Sequence, residues 1–573
     1  MAERHDPIRQ RIAMNNLPHT HHSQPGWQRW PGILLALAIT VLAVSGVGAL
    51  LWQAPAIEVS ELWASAYLRN VLVFTVWQAV LSVTFSLLLA LPVARALDRY
   101  RVFIGRTLLL RLMELSLVIP TIVAVSGVVA IYGRQGWLTT TLGEWVPFLK
   151  WNLYGINGIV LTHVFFNAPL AARILLQAFE NAPVAQRRIA SQLALGRLWL
   201  WRAVEWPAIR PVLPGIVALI FTLCFTSFAI VMTLGGGPRA TTLEVAIYQA
   251  LRFEFDFGRA ALLAVVQLLI CGALWWLALR KGISPTLAPD RALTQNDRRK
   301  NSSRVSLLTN TSLLVAFTIF LLLPLIAVFF RGFPGLADAF LQPSNGVSGS
   351  GLCSATIRSF IIAVPAGFLA VVTSLLILFA SNPRISSTVS RLCETSAYVP
   401  LVVPPLVLGT GLFLLLRPRL GVPSEGLVLV SLINSLMALP FVLQLLRGAF
   451  KNTAPATLQQ ADQLGILGWH RWRWIYWPRM RRPLALGMAY GIGLSLGDFG
   501  VIALFGSPGS PTLPVLLYQQ LGSYQMQAAA ATGLWLILLL LFVFGIFSLL
   551  GRRSPTVEKQ TLHSRRILEP THA

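Results

Sequence analysis

Two stretches of the sequence carry aromatic and basic side chains in a helical rhythm, and the second echoes the first. Between Glu180 and Arg210, Leu193, Leu195, Leu198 and Trp201 follow helical spacing, with Arg187, Arg188, Arg197 and Arg202 interspersed. Between Lys451 and Arg482, Leu464, Ile466, Trp469, Trp472, Ile475 and Tyr476 do the same beside His470, Arg471 and Arg473. Side chains of these types make contacts rather than break bonds. One use is a helix pair lying flat in a lipid interface, where Trp and Arg are favoured. The other is an apolar knob that fills a groove of a partner protein. In each stretch the pattern predicts a short helix ending at a Gly or small residue, then a second helix stopped by proline.

Bond-making chemistry has no comparable footing. No G-x-x-x-x-G-K-[ST] phosphate loop occurs, so the chain has no ATP site of its own, and there is no H-E-x-x-H, paired catalytic carboxylates or nucleophile elbow. Gly235-Gly236-Gly237-Pro238 reads as a tight external turn. His19, His21 and His22 read as part of a solvated tail, and Cys224, Cys271, Cys353 and Cys393 contain no C-x-x-C pair. The expectation is a non-enzyme, without catalytic residue, metal or cofactor.

Ionisable residues in apolar surroundings are the remaining candidates, since each costs about 2.5–3.5 kcal/mol near a bilayer centre. Asp498, in Leu496-Gly497-Asp498-Phe499-Gly500, is either a pathway-lining carboxylate or a helix-packing residue; Ser227 is its counterpart earlier in the chain. Glu114 and Arg358 stand near the ends of apolar stretches and can snorkel to water. His163 and Asn167, one turn apart, are expected to hydrogen-bond between helices. Pro120, Pro400, Pro404 and Pro405 predict kinked helices around a central cavity.

The elements that must position these residues are membrane spans. Of the 573 residues 55% are hydrophobic and only 12% charged, with a mean hydropathy of +0.67, about half the charge of a soluble protein. Twelve apolar stretches can each cross about 30 Å of hydrocarbon. They run approximately 31–52, 70–94, 108–132, 155–178, 211–234, 259–279, 307–330, 354–380, 392–416, 425–447, 483–505 and 529–550. The first is too long for a cleaved signal core and reads as a retained span. The net charge of +25 does not point to nucleic acid, because 36 of the 46 lysines and arginines fall in the tails and alternate loops. That bias predicts a multi-pass inner-membrane protein with both termini cytoplasmic.

Sliding the chain against itself reveals a repeat. At an offset of 271, Pro169 falls on Pro440, Phe179 on Phe450, Trp201-Arg202 on Trp472-Arg473, Trp206-Pro207 on Trp477-Pro478, and Phe228 on Phe499. After a slip of one residue, Tyr248-Gln249 falls on Tyr518-Gln519. Six spans separate equivalent points, so the halves are parallel, related by an axis along the membrane normal. The predicted organisation is a tail (1–30), a first half (31–279, core about 67–279), a basic linker (280–306), a second half (307–550, core about 353–550) and a tail (551–573).

The repeated loops carry a resemblance. Permease subunits of bacterial ABC importers have the motif E-A-A, three residues, Gly, nine residues, I-x-L-P. Here Ala461, Gly465, Ile475 and Pro478 match it in the second half, and Ala190, Ala194, Val204 and Pro207 occupy the same places in the first. Arg188 and Gln459 stand in place of the family's Glu, and Ala194 in place of its Gly. Tyr132 to Trp137, Leu234 to Pro238, Ile247 to Leu251 and Gly497 to Gly500 make the chain, from roughly Trp30 to Leu550, similar to the fused permeases of Gram-negative thiamine importers. Ferric-iron permeases share the fused architecture, and ion-coupled carriers share twelve spans in two halves. The resemblance implies an all-α membrane protein with the type I importer (MetI-like) fold. It also implies two copies of a cytoplasmic ATPase that binds ATP and Mg, each docked on one coupling helix, and a periplasmic substrate-binding protein.

Overall fold

The computed structural model describes residues 30–53, 64–141, 152–180, 201–235, 237–280, 304–341, 349–381, 387–420, 426–451, 455–466, 468–506 and 509–551, with scattered positions of 182–200. The tail histidines and the 280–306 linker lie largely or wholly outside these. Among the described residues the only regular structure is helical.

All twelve apolar stretches contain helix, but only some are uninterrupted. In the first half these are α1 (Trp30–Gln53), α2 (Ala66–Arg99), α5 (Ile156–Glu180) and α9 (Phe257–Arg280). In the second they are α10 (Arg304–Leu341), α11 (Gly349–Ala380), α14 (Leu427–Lys451) and α19 (Met526–Leu550). These eight are long and apolar enough to cross a bilayer alone.

The third and fifth spans of each half are broken. The third span of the first half divides at Ile119-Pro120 into α3 (Arg106–Val118) and α4 (Thr121–Tyr132), with 115° between Arg106–Ser116 and Thr121–Thr141. Its counterpart breaks before Pro404 and resumes as α13 (Pro405–Leu420), after the short α12 (Ser387–Ser396). Proline disfavours helical geometry in the residue before it, which is why both breaks fall there. The fifth spans are α6 (Leu213–Phe225), broken from α7 (Ala229–Leu234), and α16 (Trp477–Leu496), broken from α17 (Gly500–Phe505). Short helices α8 (Leu243–Gln249) and α18 (Leu513–Gly522) then lead to the last spans. Each starts against a hydroxyl of its half's second span: Leu243 N–H donates to Thr75 Oγ1 at 2.9 Å, and Leu513 N–H to Ser359 Oγ at 3.0 Å.

The repeat holds to the residue at many element boundaries. The offset of 271 carries the limits of α5 onto those of α14, and of α7 onto those of α17. Within each half the second and fourth spans pack together, α2 on α5 and α11 on α14. The first span of each half reaches the other: α1 packs on α13 and α11 of the second half, while α10 packs on α4 of the first half as well as on α19 of its own. The crossing of α1 and α13 is closed by Gly46 and Gly411, where a Cβ on Gly411 would overlap the Gly46 carbonyl. Small residues bring helix axes close in a bilayer, where packing rather than water exclusion drives association.

Candidate coupling and translocation site

In the second half the loop is a helical hairpin. Its first arm, α15 (Pro455–Gln463), ends in a turn with Gly465 at φ +69°. Ile466 N–H reaches back to the Ala461 carbonyl at 2.9 Å, a helix end that needs a left-handed residue and so selects glycine. Arg471, buried, pairs with Asp462 and donates through Nε to the Ile466 carbonyl at 3.1 Å, tying the arms together. Ala461 and Ile475 are buried; Leu464, Trp469, Trp474 and Trp477 face outward.

In the first half Ala190 is buried with Leu200 and Val204 in a small apolar cluster. Ala194 lies outside the described residues. Ile189, Leu193, Leu198 and Trp199 are exposed, so each loop presents a row of large apolar side chains.

The prolines do not stop the second arm, contrary to the sequence expectation. Trp201–Glu205 and Trp472–Tyr476 are single π-helical turns, equivalent in the repeat, and the helix runs on through Pro207 and Pro478. A proline inside an α-helix lacks an N–H and drives its ring into the carbonyl four residues back. Widening the turn relieves the clash: Trp206 N–H bonds the Trp201 carbonyl, and Trp477 N–H the Trp472 carbonyl, five residues back. Each loop therefore continues directly into its fifth span, with a 59° bend before Leu213 in the first half.

Each loop is also fastened to the end of its second span, by different chemistry at the same place. In the first half Arg95 forms an ion pair with Glu205 at 2.8 Å and lies over the Trp201 ring at 5.5 Å. In the second, Phe379 packs edge-on against Trp472 and Tyr476, at 5.6 and 5.9 Å between centroids. Trp472 and Tyr476 are the repeat equivalents of Trp201 and Glu205. A cation and its carboxylate in one half thus stand where two rings stand in the other.

Deeper in the membrane, Asp498 occupies the break between α16 and α17. The amides of Gly500, Val501 and Ile502 and the Asn434 side chain surround its carboxylate, while Oδ2 is buried without a hydrogen-bond partner. Asn434 Nδ2 also donates to Ser495 Oγ at 2.9 Å, and these groups line a small polar pocket with Ser359 and Thr512. The carboxylate faces the first amides of the short helix after it, whose N-cap position is Phe499. Ser227 sits in the matching break, its N–H donating to the Cys224 carbonyl at 3.4 Å.

His163 and Asn167 bridge helices, as expected. Ser82 Oγ lies 3.0 Å from His163 Nδ1, Asn167 Nδ2 donates to Cys224 Sγ at 3.1 Å, and Gln78 Nε2 donates to the Cys224 carbonyl at 2.9 Å. Glu114 pairs with Arg173 of the fourth span at 2.7 Å. Sequence reading missed Glu244, a fully buried carboxylate that accepts from Gln267 Nε2 at 2.7 Å. Glu244 falls between apolar stretches in the sequence, so a span-by-span search passes over it.

Comparison with known proteins agrees with this architecture. The family model described as the binding-protein-dependent transport system inner membrane component matches residues 374–554, which include the second loop and the broken fifth span. The thiamine transport system permease protein ThiP of Escherichia coli K12 is 41% identical over 92% of this chain and 98% of its own. The proteins of that name from Brucella abortus 2308 and Haemophilus influenzae Rd are 41% and 36% identical, over 88% and 91% of this chain and 92% and 97% of theirs. A putative ferric transport system permease protein, FbpB 1 of Haemophilus influenzae Rd, is 26% identical over 36% of this chain and 32% of its own. Two fused halves with equivalent loops and equivalently broken spans, similar to the thiamine-system permeases over nearly the whole of both chains, leave one assignment: the chain belongs to the family of binding-protein-dependent transport system inner-membrane components.

Proposed function

We propose that this permease forms the pathway of an ATP-driven importer for thiamine and its phosphate esters. The observation that carries the reading is the 41% identity to thiamine-system permeases over nearly the whole of both chains. The ferric-permease likeness covers only about a third of the chain and is much lower.

In this reading a periplasmic binding protein delivers the solute, and two copies of a cytoplasmic ATPase hold ATP and Mg. Each ATPase seats one loop, whose fold is set by Ala190, Ala194, Val204 and Pro207 in the first half and by Ala461, Gly465, Ile475 and Pro478 in the second. The exposed apolar rows support docking, since each loop leads into a fifth span, across a bend in the first half and without a break in the second, and is fastened to a second span. Closing the ATPase pair would draw the loops together and swing four spans outward as levers. Asp498 and Ser227 stand on the pathway wall as residues that shape the breaks. The basic bias of those segments supports a cytoplasmic location for both termini and both loops.

The test is uptake into proteoliposomes holding the permease with its ATPase and binding protein. ATP-dependent accumulation of labelled thiamine, unaffected by collapse of the proton gradient, is expected. Accumulation of ferric iron instead, or thiamine uptake that needs no ATP and follows the proton gradient, overturns the reading.

A further inference from the structure

Four rings join the two halves in one unbroken string. Tyr248 packs on Phe228 with centroids 5.0 Å apart, Phe228 stacks on Phe499 at 5.5 Å with planes 25° apart, and Phe499 packs on Tyr518 at 4.8 Å. Phe228 and Phe499 are equivalents in the repeat, and so are Tyr248 and Tyr518. Two residues exchanged by a twofold axis can touch only on that axis, so the Phe228–Phe499 stack marks where the axis between the halves runs. The central pair is stacked there and each outer tyrosine is tilted against its phenylalanine, so that rings fill the axis.

Their mounting suits movement. Phe228 and Phe499 immediately precede the short helices α7 and α17, at the breaks of the fifth spans. Tyr248 and Tyr518 ride on α8 and α18, each held at its start by one hydroxyl of a second span. Such segments can turn without unwinding a long helix. Asp498 acts here as a positioning residue, since its carboxylate faces the amides of the segment that follows Phe499.

A seal alone does not require rings. The surrounding core is mostly Leu, Ile, Val and Ala, and branched aliphatic side chains would exclude water equally well. What aromatic faces add is attraction for a cation and for another flat ring. We propose that Phe228, Tyr248, Phe499 and Tyr518 form a binding site within the membrane that opens along the axis and takes a flat, positively charged heteroaromatic solute between its rings. This rests on the thiamine reading above and names the side chains that would recognise that solute during transit.

The experiment uses the reconstituted complex of permease, ATPase and binding protein, with labelled thiamine as the probe. The wild type is measured first; if it moves no thiamine, the functional reading falls and this site with it. With an active wild type, two double variants isolate the ring site. Phe228→Leu with Phe499→Leu keeps apolar bulk and should slow initial uptake by about tenfold or more, as expected when ring–cation contacts are lost. Phe228→Tyr with Phe499→Tyr keeps the rings and should stay within about threefold of wild type. Thermal unfolding and gel filtration establish that each variant is intact; if the leucine pair does not fold, Tyr248→Leu and Tyr518→Leu are read in its place. Leucine variants that transport at the wild-type rate would show a steric seal and overturn the proposal. So would leucine and tyrosine variants that are equally impaired, which would show a packing constraint.

Discussion

At the scale of single residues, Gly465 and Asp498 show how backbone geometry decides a side chain's role. A Cβ on Gly465 would meet nothing within 4 Å, so Gly465→Ala is opposed only by the left-handed backbone. The expected cost is about 1 kcal/mol, seen as a small drop in unfolding temperature with uptake retained. Loss of all uptake in this variant would show that the loop tolerates no added methyl at its docking face. Asp498 tests the opposite case. Asn keeps an acceptor for the amides of α17, so Asp498→Asn should hold uptake within about threefold, whereas Asp498→Ala leaves those amides without it, at about 1 kcal/mol, and should slow uptake markedly. An Asn variant as impaired as the Ala variant would mean that the charge itself serves the solute. The sequence exposed Asp498 as costly in an apolar stretch, but its partner amides depend on a helix break that hydropathy does not reveal. Ala190, Ala461, Val204 and Ile475 were legible as motif positions, and all four are buried. The aromatic string was not legible as a cluster, because its members lie in different spans of different halves.

Among the elements, the repeated loop was the most readable feature and its prolines the least. Aromatic and basic spacing marked both loops, and the offset of 271 paired them to the residue. Proline was read as a stop because the rule against it assumes an α-helical turn; a π turn removes the clash, and the helix passes on into the membrane. The anchors at Arg95 and Phe379 escaped notice for a related reason. They lie at the ends of second spans, where the offset between halves is no longer 271, so a single sliding alignment does not superimpose them. Arg95→Ala removes both the ion pair with Glu205 and the cation over Trp201. If this anchor transmits movement, the ATP hydrolysed per solute imported should rise about fivefold, a loss of about 1 kcal/mol of partly exposed contacts. Phe379→Leu keeps an apolar contact and should change that ratio less. An unaltered ratio in Arg95→Ala would leave the fifth-span continuity as the sole mechanical link.

For the whole molecule, composition and charge bias established a many-span membrane protein, and the repeat established two parallel halves. What neither could convey is that the halves are interlocked. Periodicity speaks of one chain segment against itself, while the exchange of α1 and α10 between halves depends on which surfaces meet. The exchange makes it difficult for one half to move without the other, and the Phe228–Phe499 stack lies on their common axis. Both loops should then move as a pair when the ATPase closes. The most direct measurement is the distance between spin labels on the two loops. Leu193→Cys and Leu464→Cys place labels at exposed positions, with the exposed Cys353 changed to Ser and the three buried cysteines left in place. In the assembled complex, trapping ATP should shorten the label separation by several ångströms, and release of phosphate should restore it. A separation that stays constant through ATP binding while thiamine is being imported would contradict the account.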